Sequence, residues 1–410
     1  MTLSTVGTLV LIAIVAVISP LLAELSGRLA IPGVVFEIAL GIVIGPAVLG
    51  IAHTGSIIDA LEGMGLAFLM FLAGLELDLG RIRGRSLELA TAGWGISLAL
   101  ALLIAGVLAA IGTVIDAIVI GLALTTTAFG TLLPILRDAD LAEGRFGARI
   151  MAIGSVGEFA PIVTIAVLLD RRNPGATSLL LVGFVAVAVA AAMMAARHQP
   201  PALVRFLHRH VHSSAQLPVR VSMLLIIGLV FLAFRFGLDV LLGAFAAGIV
   251  VKLFIRGEDS TVVRGKLEGI GFGFLVPIFF IVSGMLFDLH ALFATPTGLL
   301  RVPLFLVLFL VVRGAPVLLL HRRDLPRYQR APLALFASTG LPLIVVITTI
   351  GVEEGRMRPV NAAALVTAGM LSVLVYPMIA RALLRRAPEM RPGEADPAIK
   401  GGESRPAIPA

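Results

Sequence analysis

Long runs of apolar residues, separated by short polar connections, recur along nearly the whole chain. An α-helix needs about 20 apolar residues to cross the ~30 Å hydrocarbon core of a bilayer, and lipid leaves a bare backbone without hydrogen-bond partners. We therefore predict an all-α polytopic membrane protein with about thirteen transmembrane helices. These spans, numbered 1 to 13, lie at roughly 4–23, 31–50, 57–78, 87–110, 114–133, 149–169, 176–196, 218–236, 239–255, 269–288, 299–320, 331–351 and 360–384.

The composition agrees with a membrane protein and excludes several other classes. The chain is 59% hydrophobic and 14% charged, with a mean hydropathy of +1.05, whereas soluble domains are about 45 to 50% apolar. It has no cysteine, so neither disulfides nor thiolate metal sites are possible. The two G-x-G matches lie in or at the edge of apolar spans, which disfavours a nucleotide-binding domain. We expect no cofactor, no nucleic-acid partner, no metal beyond a transported cation and no enzymatic chemistry.

The distribution of basic residues predicts the orientation in the membrane. Of the 32 Lys and Arg residues, 25 lie in the tail or in and at the edges of the connections after odd-numbered spans, six lie on the other side, and one, Arg313, lies near the middle of a span. Positive residues accumulate on the cytoplasmic side. This predicts a multi-pass protein of the cell (inner) membrane with its N-terminus outside and its C-terminus in the cytoplasm. Residues 387–410 are rich in Pro, Gly and charge and are predicted to be a disordered cytoplasmic tail.

Spans 5 and 12 share an unusual pattern. Span 5 contains 121-GLALTTTAFGTLLP-134 and span 12 contains 334-ALFASTGLPLIVVITT-349, each with a hydroxyl cluster, a Gly and a Pro near its middle. They are seven spans apart and therefore cross the membrane in opposite directions. The same offset pairs spans 2 to 6 with spans 9 to 13, which predicts two inverted five-helix repeats. Interrupted helices in such repeats mark the binding sites of many secondary transporters.

The hydroxyl residues in these two spans are candidate ion ligands. Unwound backbone within a membrane is tolerated where it is buried in protein or lines a water-filled cavity, and its free carbonyls and half-helix ends can hold a cation. The alternative is local, since such hydroxyls also bond back to carbonyls of their own helix or join helices together. The candidates are Thr125, Thr126, Thr127, Ser338 and Thr339.

Two ionisable residues lie near the middle of predicted spans. Glu158 lies in 151-MAIGSVGEFAPIVTI-165 of span 6, and Arg313 lies in span 11. Each would cost about 2.5 to 3.5 kcal/mol at the bilayer centre, so both should face the protein interior. An acid and a base on spans paired by the repeat, beside two broken helices, favour an ion pathway in which Arg313 balances the charge of Glu158; a purely structural salt bridge is the alternative. Candidates for the access pathway are Glu37, Glu76 and Ser155.

Five motifs together give the chain a resemblance to a known family. They are 32-PGVVFEIALGIVIGPAVLG-50, 65-GLAFLMFLAGLELDL-79, 125-TTTAFGTLLPILRD-138, 239-DVLLGAFAAGIVV-251 and 277-PIFFIVSGMLFDL-289. With these motifs the chain resembles a monovalent cation:proton antiporter of the Kef-type branch of the sodium/proton exchanger superfamily. Each motif is weak alone, and the set is specific.

The resemblance implies roles for the candidate residues. Thr125 to Thr127 fall on the unwound part of the first crossing helix and Ser338 and Thr339 on that of the second, while Arg313 corresponds to a buried basic residue of the family. Glu158 stands where the family has its ion-binding aspartate, and Gly157 stands where a polar residue usually precedes that aspartate.

The resemblance also implies an architecture and an activity. Residues 1–386 would form the antiporter domain, with a core at about 87–169 and 299–384, a dimerisation panel at about 4–78 and 218–288, and a homodimer as the assembly. We predict alternating-access exchange of Na⁺ or K⁺ for H⁺ with Glu158 as the shared site. A non-transporting sensor or scaffold and a cation channel are the alternatives, although no TVGYG-like filter occurs. Which cation is carried, and in what ratio to protons, stays open.

Overall fold

The structure is a computed structural model, and it describes residues 3–26, 31–76, 84–130, 132, 136, 141–168, 216–236, 240–254, 259–294 and 296–385. The described chain is helical almost throughout. Its first helices are α1 (Leu3–Leu25), α2 (Gly33–Ile44), α3 (Ser56–Glu76), α4 (Arg85–Ala110), α5 (Ala117–Leu124) and α6 (Gly144–Leu168). The later helices are α7 (Leu217–Arg235), α8 (Val240–Phe254), α9 (Asp259–Ile270), α10 (Val276–Met285), α11 (Leu289–Phe293), α12 (Pro296–Phe309), α13 (Ala315–Leu320), α14 (Arg327–Ala337), α15 (Pro342–Glu353) and α16 (Pro359–Arg385).

The predicted spans correspond closely to these helices. In the described part of the chain, nine helical stretches are long and apolar enough to cross a membrane, and they match spans 1, 3, 4, 6, 8, 10, 11, 12 and 13. Spans 2 and 9 are the shorter apolar helices α2 and α8, and span 5 begins as the short helix α5. Span 7 at 176–196 and the tail at 387–410 lie outside the described residues. The prediction of an all-α polytopic chain is confirmed.

Two π-helical turns interrupt long helices. Gly271–Leu275 joins α9 to α10, and Leu310–Gly314 joins α12 to α13. Each turn ends two residues before a proline, Pro277 or Pro316. Proline lacks an N–H and its ring clashes with the carbonyl one turn back, so the preceding turn widens. The second turn carries Arg313 and therefore sets where this buried side chain leaves its helix.

Close helix crossings at glycines organise one group of helices. Where α2 crosses α10, a Cβ at Gly41 or Gly284 would collide with a backbone carbonyl of the facing helix. Where α3 crosses α8, a Cβ at Gly74 or Gly248 would likewise collide with a backbone carbonyl of the facing helix. Small residues let helix backbones approach closely in membranes. The predicted repeat pairs span 2 with span 9 and span 3 with span 10, so the two crossings are images of each other, as the inverted repeat requires.

The most extensive contacts fall within two groups of helices. In the first, α3 packs on α8, α8 on α7, and α2 on α1 and α10. In the second, α4 packs on α5 and α6, and α16 packs on α12, α14 and α15. The second group contains spans 5 and 12, whose helices break near their middle. Together, α14 and α15 are the most deeply buried of the spans. Such burial is expected for helices that carry polar groups away from lipid.

An ion pair ties the two halves of the second group together. Asp116 precedes α5 and lies just outside the helix with which span 5 begins, and its Oδ1 caps that helix by accepting from the Ile118 N–H at 2.8 Å. Its Oδ2 accepts from Arg356 Nε at 2.8 Å and lies 2.7 Å from Arg356 Nη2. Burial alone would raise the pKa of Asp116, but hydrogen bonds from Arg356 and Ile118 hold the pKa below its ordinary value.

We expect Asp116→Asn to lower the free energy of unfolding by about 1.5 to 3 kcal/mol at pH 7, because asparagine still caps the helix but loses the charged hydrogen bonds. The folded-state pKa is lowered, so this contribution is present above the unfolded pKa of about 4 and is lost as the pH falls through the folded value. Thermal melts in detergent at pH 7 and near pH 3 measure the difference in melting temperature between variant and wild type. This difference should be smaller near pH 3.

Asp288→Asn is the matched control. Asp288 caps α11 by accepting from the Ala291 N–H at 2.8 Å, and it takes part in none of the ion pairs among the described residues. Its substitution should change the melting temperature little. A deficit of Asp116→Asn that stays constant from pH 7 to pH 3 would contradict the assigned role of the ion pair.

Candidate ion-binding site

The first interrupted helix breaks at the threonine cluster. Helix α5 ends at Leu124, the chain is non-helical from Thr126 to Ala128, and helical geometry resumes at Phe129. The hydroxyl of Thr125 donates to the Leu122 carbonyl at 2.8 Å and that of Thr126 to the Ala123 carbonyl at 3.0 Å. The last carbonyls of a helix lack intrahelical partners, so these hydroxyls satisfy two of them.

The second interrupted helix repeats this arrangement. Helix α14 ends at Ala337 and α15 begins at Pro342. Ser338 Oγ donates to the Ala334 carbonyl at 2.7 Å, and Thr339 Oγ1 donates to the Leu335 carbonyl at 3.2 Å. The two breaks therefore use the same device at corresponding positions, although they lie about two hundred residues apart.

The two unwound segments contact each other directly. The Ala128 N–H donates to the Thr339 carbonyl at 2.7 Å, and the Thr127 hydroxyl donates to the Ala337 carbonyl at 2.7 Å. The Thr127 N–H donates to the Gly157 carbonyl at 3.0 Å, which brings in helix α6. Backbone groups freed by the two breaks are thus satisfied by the opposite segment and by α6, as buried backbone in a membrane must be.

Glu158 lies on α6 beside this crossing and faces a cavity of about 150 Å³. The half-buried carboxylate accepts a hydrogen bond from the backbone N–H of Gly130. Gly130 lies in the first turn of the resumed helix, where N–H groups lack intrahelical partners and the helix dipole favours negative charge. The cavity also touches Pro342 at the start of α15. The carboxylate therefore lies where both broken helices begin again.

Two further acids line the same cavity, on the side of the other helix group. Glu37 of α2 and Glu76 at the end of α3 are both half-buried. Glu76 is close enough to interact electrostatically with Glu158, and its Oε1 lies 3.9 Å from Nη2 of Arg264. The Arg264 side chain is 36% exposed. The structure thus brings Glu37, Glu76 and Glu158 together around one cavity between the two helix groups.

Arg313 is buried behind the crossing. Its Nη2 and Nε donate to the Thr127 hydroxyl at 2.7 and 3.1 Å, and Nη2 also donates to the Ile153 carbonyl at 3.3 Å. Among the described residues, Arg313 and Glu158 do not form an ion pair with each other. The Thr127 hydroxyl accepts two bonds from Arg313 and donates one to Ala337, which fills its capacity.

Gly157 makes room for the guanidinium group. A Cβ built at Gly157 would collide with Arg313 Nη2 and with the Thr127 hydroxyl. Any larger residue here would displace Arg313 from Thr127. The guanidinium group therefore occupies the space that a side chain at position 157 would take, one residue along α6 from Glu158.

With this geometry established, comparison with known proteins decides the family. The model of the family "Sodium/hydrogen exchanger, transmembrane" matches residues 12–386. The chain belongs to this family. It is 29% identical over 402 residues to YjbQ of Bacillus subtilis (strain 168), covering 93% of this chain and 64% of YjbQ. It is 28% identical over 286 residues to the "Na(+)/H(+)-K(+) antiporter GerN" of Bacillus cereus, covering 67% of this chain and 70% of GerN.

A solved structure confirms the fold class of this exchanger-family chain. The sodium proton antiporter MjNhaP1 from Methanocaldococcus jannaschii matches with a TM-score of 0.65 at 17% identity, covering 93% of this chain and 97% of that one. At this identity the match establishes the antiporter-like fold and leaves the chemistry to the site residues. The resemblance to cation:proton antiporters stated from the motifs is confirmed by the family match.

The five hydroxyl candidates fall into two kinds in this exchanger-family chain. All are buried at the crossing. Thr125, Thr126, Ser338 and Thr339 donate back to their own helices, which is the local alternative, yet this leaves oxygen lone pairs available. Thr127 instead holds Arg313. None of the five lines the Glu158 cavity, and neither does Ser155, which is buried three residues before Glu158.

Sequence reasoning missed one acid in this family member. Glu62 of α3 is half-buried near Glu353, in the region of a second cavity of about 320 Å³ between the two helix groups. That cavity is lined by Ser283, Asp288 and Glu353 among others. Glu62 lies inside predicted span 3, so the reasoning that selected Glu37 would also have selected Glu62.

Proposed function

We propose that the chain exchanges a monovalent cation, Na⁺ or K⁺, for H⁺ across the membrane, with Glu158 as the shared binding site. One observation carries this proposal: Glu158 is held at the crossing of two interrupted helices and faces a cavity that it shares with Glu37 and Glu76. A carboxylate can hold either a proton or a cation, so a single group can couple the two fluxes. The names of family members such as GerN support both cations as substrates. This activity is transport and needs no enzymatic step.

We infer a division of work within the site. Glu158 binds the ion, while Glu37 and Glu76 line the access pathway, with Glu76 on the side of the exposed Arg264. Arg313 supplies a fixed positive charge, because a guanidinium group does not lose its proton in proteins. Thr127 positions Arg313, and the oxygens of Thr125, Thr126, Ser338 and Thr339 are available to a cation when the crossing rearranges.

The cavity suggests how access alternates. It lies between the helix group of α2, α3 and α10 and the group of α6 and α15, and the second cavity lies along the same boundary. We propose that the core, residues 87–169 and 299–384, moves relative to the panel, residues 4–78 and 218–288. Such a motion would open one cavity and close the other around a fixed carboxylate. A homodimer through the panel stays a prediction, to be tested by the mass of the detergent-solubilised protein.

Competition between protons and cations at Glu158 gives a quantitative test. The ionised carboxylate binds a cation and the protonated form does not. The apparent cation KM should therefore rise about tenfold for each pH unit below the pKa at which the site titrates, and it should flatten above that pH. Proton movement in reconstituted vesicles, followed by a pH-sensitive dye with Na⁺, K⁺ or Li⁺ added in turn, measures KM at each pH. A KM that is constant from acid to alkaline pH would contradict a shared site.

The orientation is a separate proposal. The chain is a multi-pass membrane protein, and the excess of Lys and Arg after odd-numbered spans supports an inner-membrane location with the N-terminus outside and the C-terminus in the cytoplasm. A reporter fused after residue 390 should be active when it requires the cytoplasm and inactive when it requires the exterior. The opposite pattern would invert the topology.

A further inference from the structure

A small cavity lies between α4 and the chain around the second π-helical turn, separate from the Glu158 cavity. Its volume is about 10 Å³, and its lining includes Trp94, Ser97, Arg313 and His321. A cavity needs about 10 to 15 Å³ and two to four polar partners to hold one water molecule. The volume therefore suits a single water molecule, and the lining is polar enough to bind one.

His321 lines this cavity and carries a buried ring nitrogen without a hydrogen-bond partner among the described residues. The side chain is 1% exposed, and Nδ1 lies 3.1 Å from the Val317 carbonyl oxygen. A carbonyl oxygen can only accept, so Nδ1 carries the proton in the neutral imidazole and Nε2 is left as the acceptor. Nε2 is buried and has no hydrogen-bond partner among the described residues.

Trp94 lines the same cavity and carries a buried donor. Its indole N–H can only donate, and in the described part of the chain this buried group also lacks a partner. Ser97 adds a further acceptor, because its hydroxyl proton goes to the Gly93 carbonyl at 2.9 Å and its oxygen lone pairs remain. Buried polar groups left unpaired are costly, and ordered water commonly satisfies them.

We propose that this cavity binds one ordered water molecule, which accepts from the Trp94 indole N–H and donates to His321 Nε2 and to Ser97 Oγ. The three bonds match the number that a buried water typically makes. Arg313 forms part of the wall, whereas Thr127 does not line the cavity. The water would thus join Trp94 and Ser97 of α4 to the chain segment that carries Arg313 and His321.

The sequence offers a direct probe, since Trp94 is the one tryptophan in the chain. Protein labelled with ¹⁵N-tryptophan in lipid nanodiscs should give a single indole N–H resonance. We expect a through-space cross-peak from this indole proton to a water molecule that stays bound for longer than the tumbling time. A wild-type indole proton that shows no water cross-peak would overturn the proposal, and this requires no variant to fold.

Variants at His321 test the geometry. His321→Phe keeps a ring but removes the acceptor, and the water cross-peak should be lost and the indole resonance shifted. His321→Gln restores an oxygen acceptor and should recover the cross-peak. His290→Phe, at an exposed position on α11, is the control and should leave the resonance unchanged. An identical cross-peak in wild type and His321→Phe would exclude His321 as a partner. The result is independent of transport, so it stands or fails separately from the proposed exchange.

Discussion

Glu158→Gln is expected to reduce cation/proton exchange to the level of vesicles without protein. The amide has nearly the shape of the carboxyl group, and it can still meet the Gly130 backbone, so the fold should persist. It cannot ionise, however, and neither releases a proton nor neutralises a cation. Dequenching of a pH-sensitive dye in reconstituted vesicles measures the loss. Glu158→Asp keeps the charge on a side chain one carbon shorter and should retain part of the activity.

The control for this substitution is Glu88→Gln. Glu88 is an exposed carboxylate in the first turn of α4, so its loss removes the same charge from the chain without touching the cavity. It should transport as the wild type does. If Glu158→Gln also exchanged cations for protons at the wild-type rate, the shared site would have to be sought at Glu37 or Glu76, and Glu158 would be a structural residue.

The positions of the spans were predictable because the bilayer leaves few alternatives. A chain that crosses hydrocarbon must satisfy its backbone internally, so every long apolar run predicts a helix. Helix length was less predictable where the apolar run continues past the helix end. Span 2 was predicted to reach residue 50, yet α2 ends at Ile44. The cause is local. Gly45 precedes Pro46, and a proline disfavours helical geometry at the residue before it.

The breaks in spans 5 and 12 were also predictable, since hydroxyl residues, Gly and Pro at mid-span weaken a helix in a recognisable way. The residues that contact the buried charges could not be predicted. Thr127 and Arg313 are 186 residues apart, and tertiary packing alone brings them together. The sequence predicted that Arg313 faces the interior, but the choice between Glu158 and Thr127 as its contact depended on the missing side chain at Gly157.

That dependence makes Gly157→Ala the second substitution with a large expected effect. The added methyl group would occupy the space of Arg313 Nη2 and the Thr127 hydroxyl, and neither can retreat easily, because Arg313 is 2% exposed and Thr127 is fully buried. Overpacking a well-packed core costs about 1 to 3 kcal/mol. We expect a lower melting temperature in detergent, measured against the wild type at the same pH.

Transport separates a positioning role of Gly157 from a merely structural one. If the methyl group moves the guanidinium group, the fixed positive charge behind the crossing moves as well, and the pH at which the apparent cation KM flattens should shift. Gly106→Ala in α4 is the matched control, because a Cβ there meets nothing within 4 Å. Alanine is favoured over glycine in helices by up to about 1 kcal/mol, so the control should be neutral or slightly stabilising. Wild-type stability together with an unchanged pH profile in Gly157→Ala would show that Arg313 does not need the space at position 157.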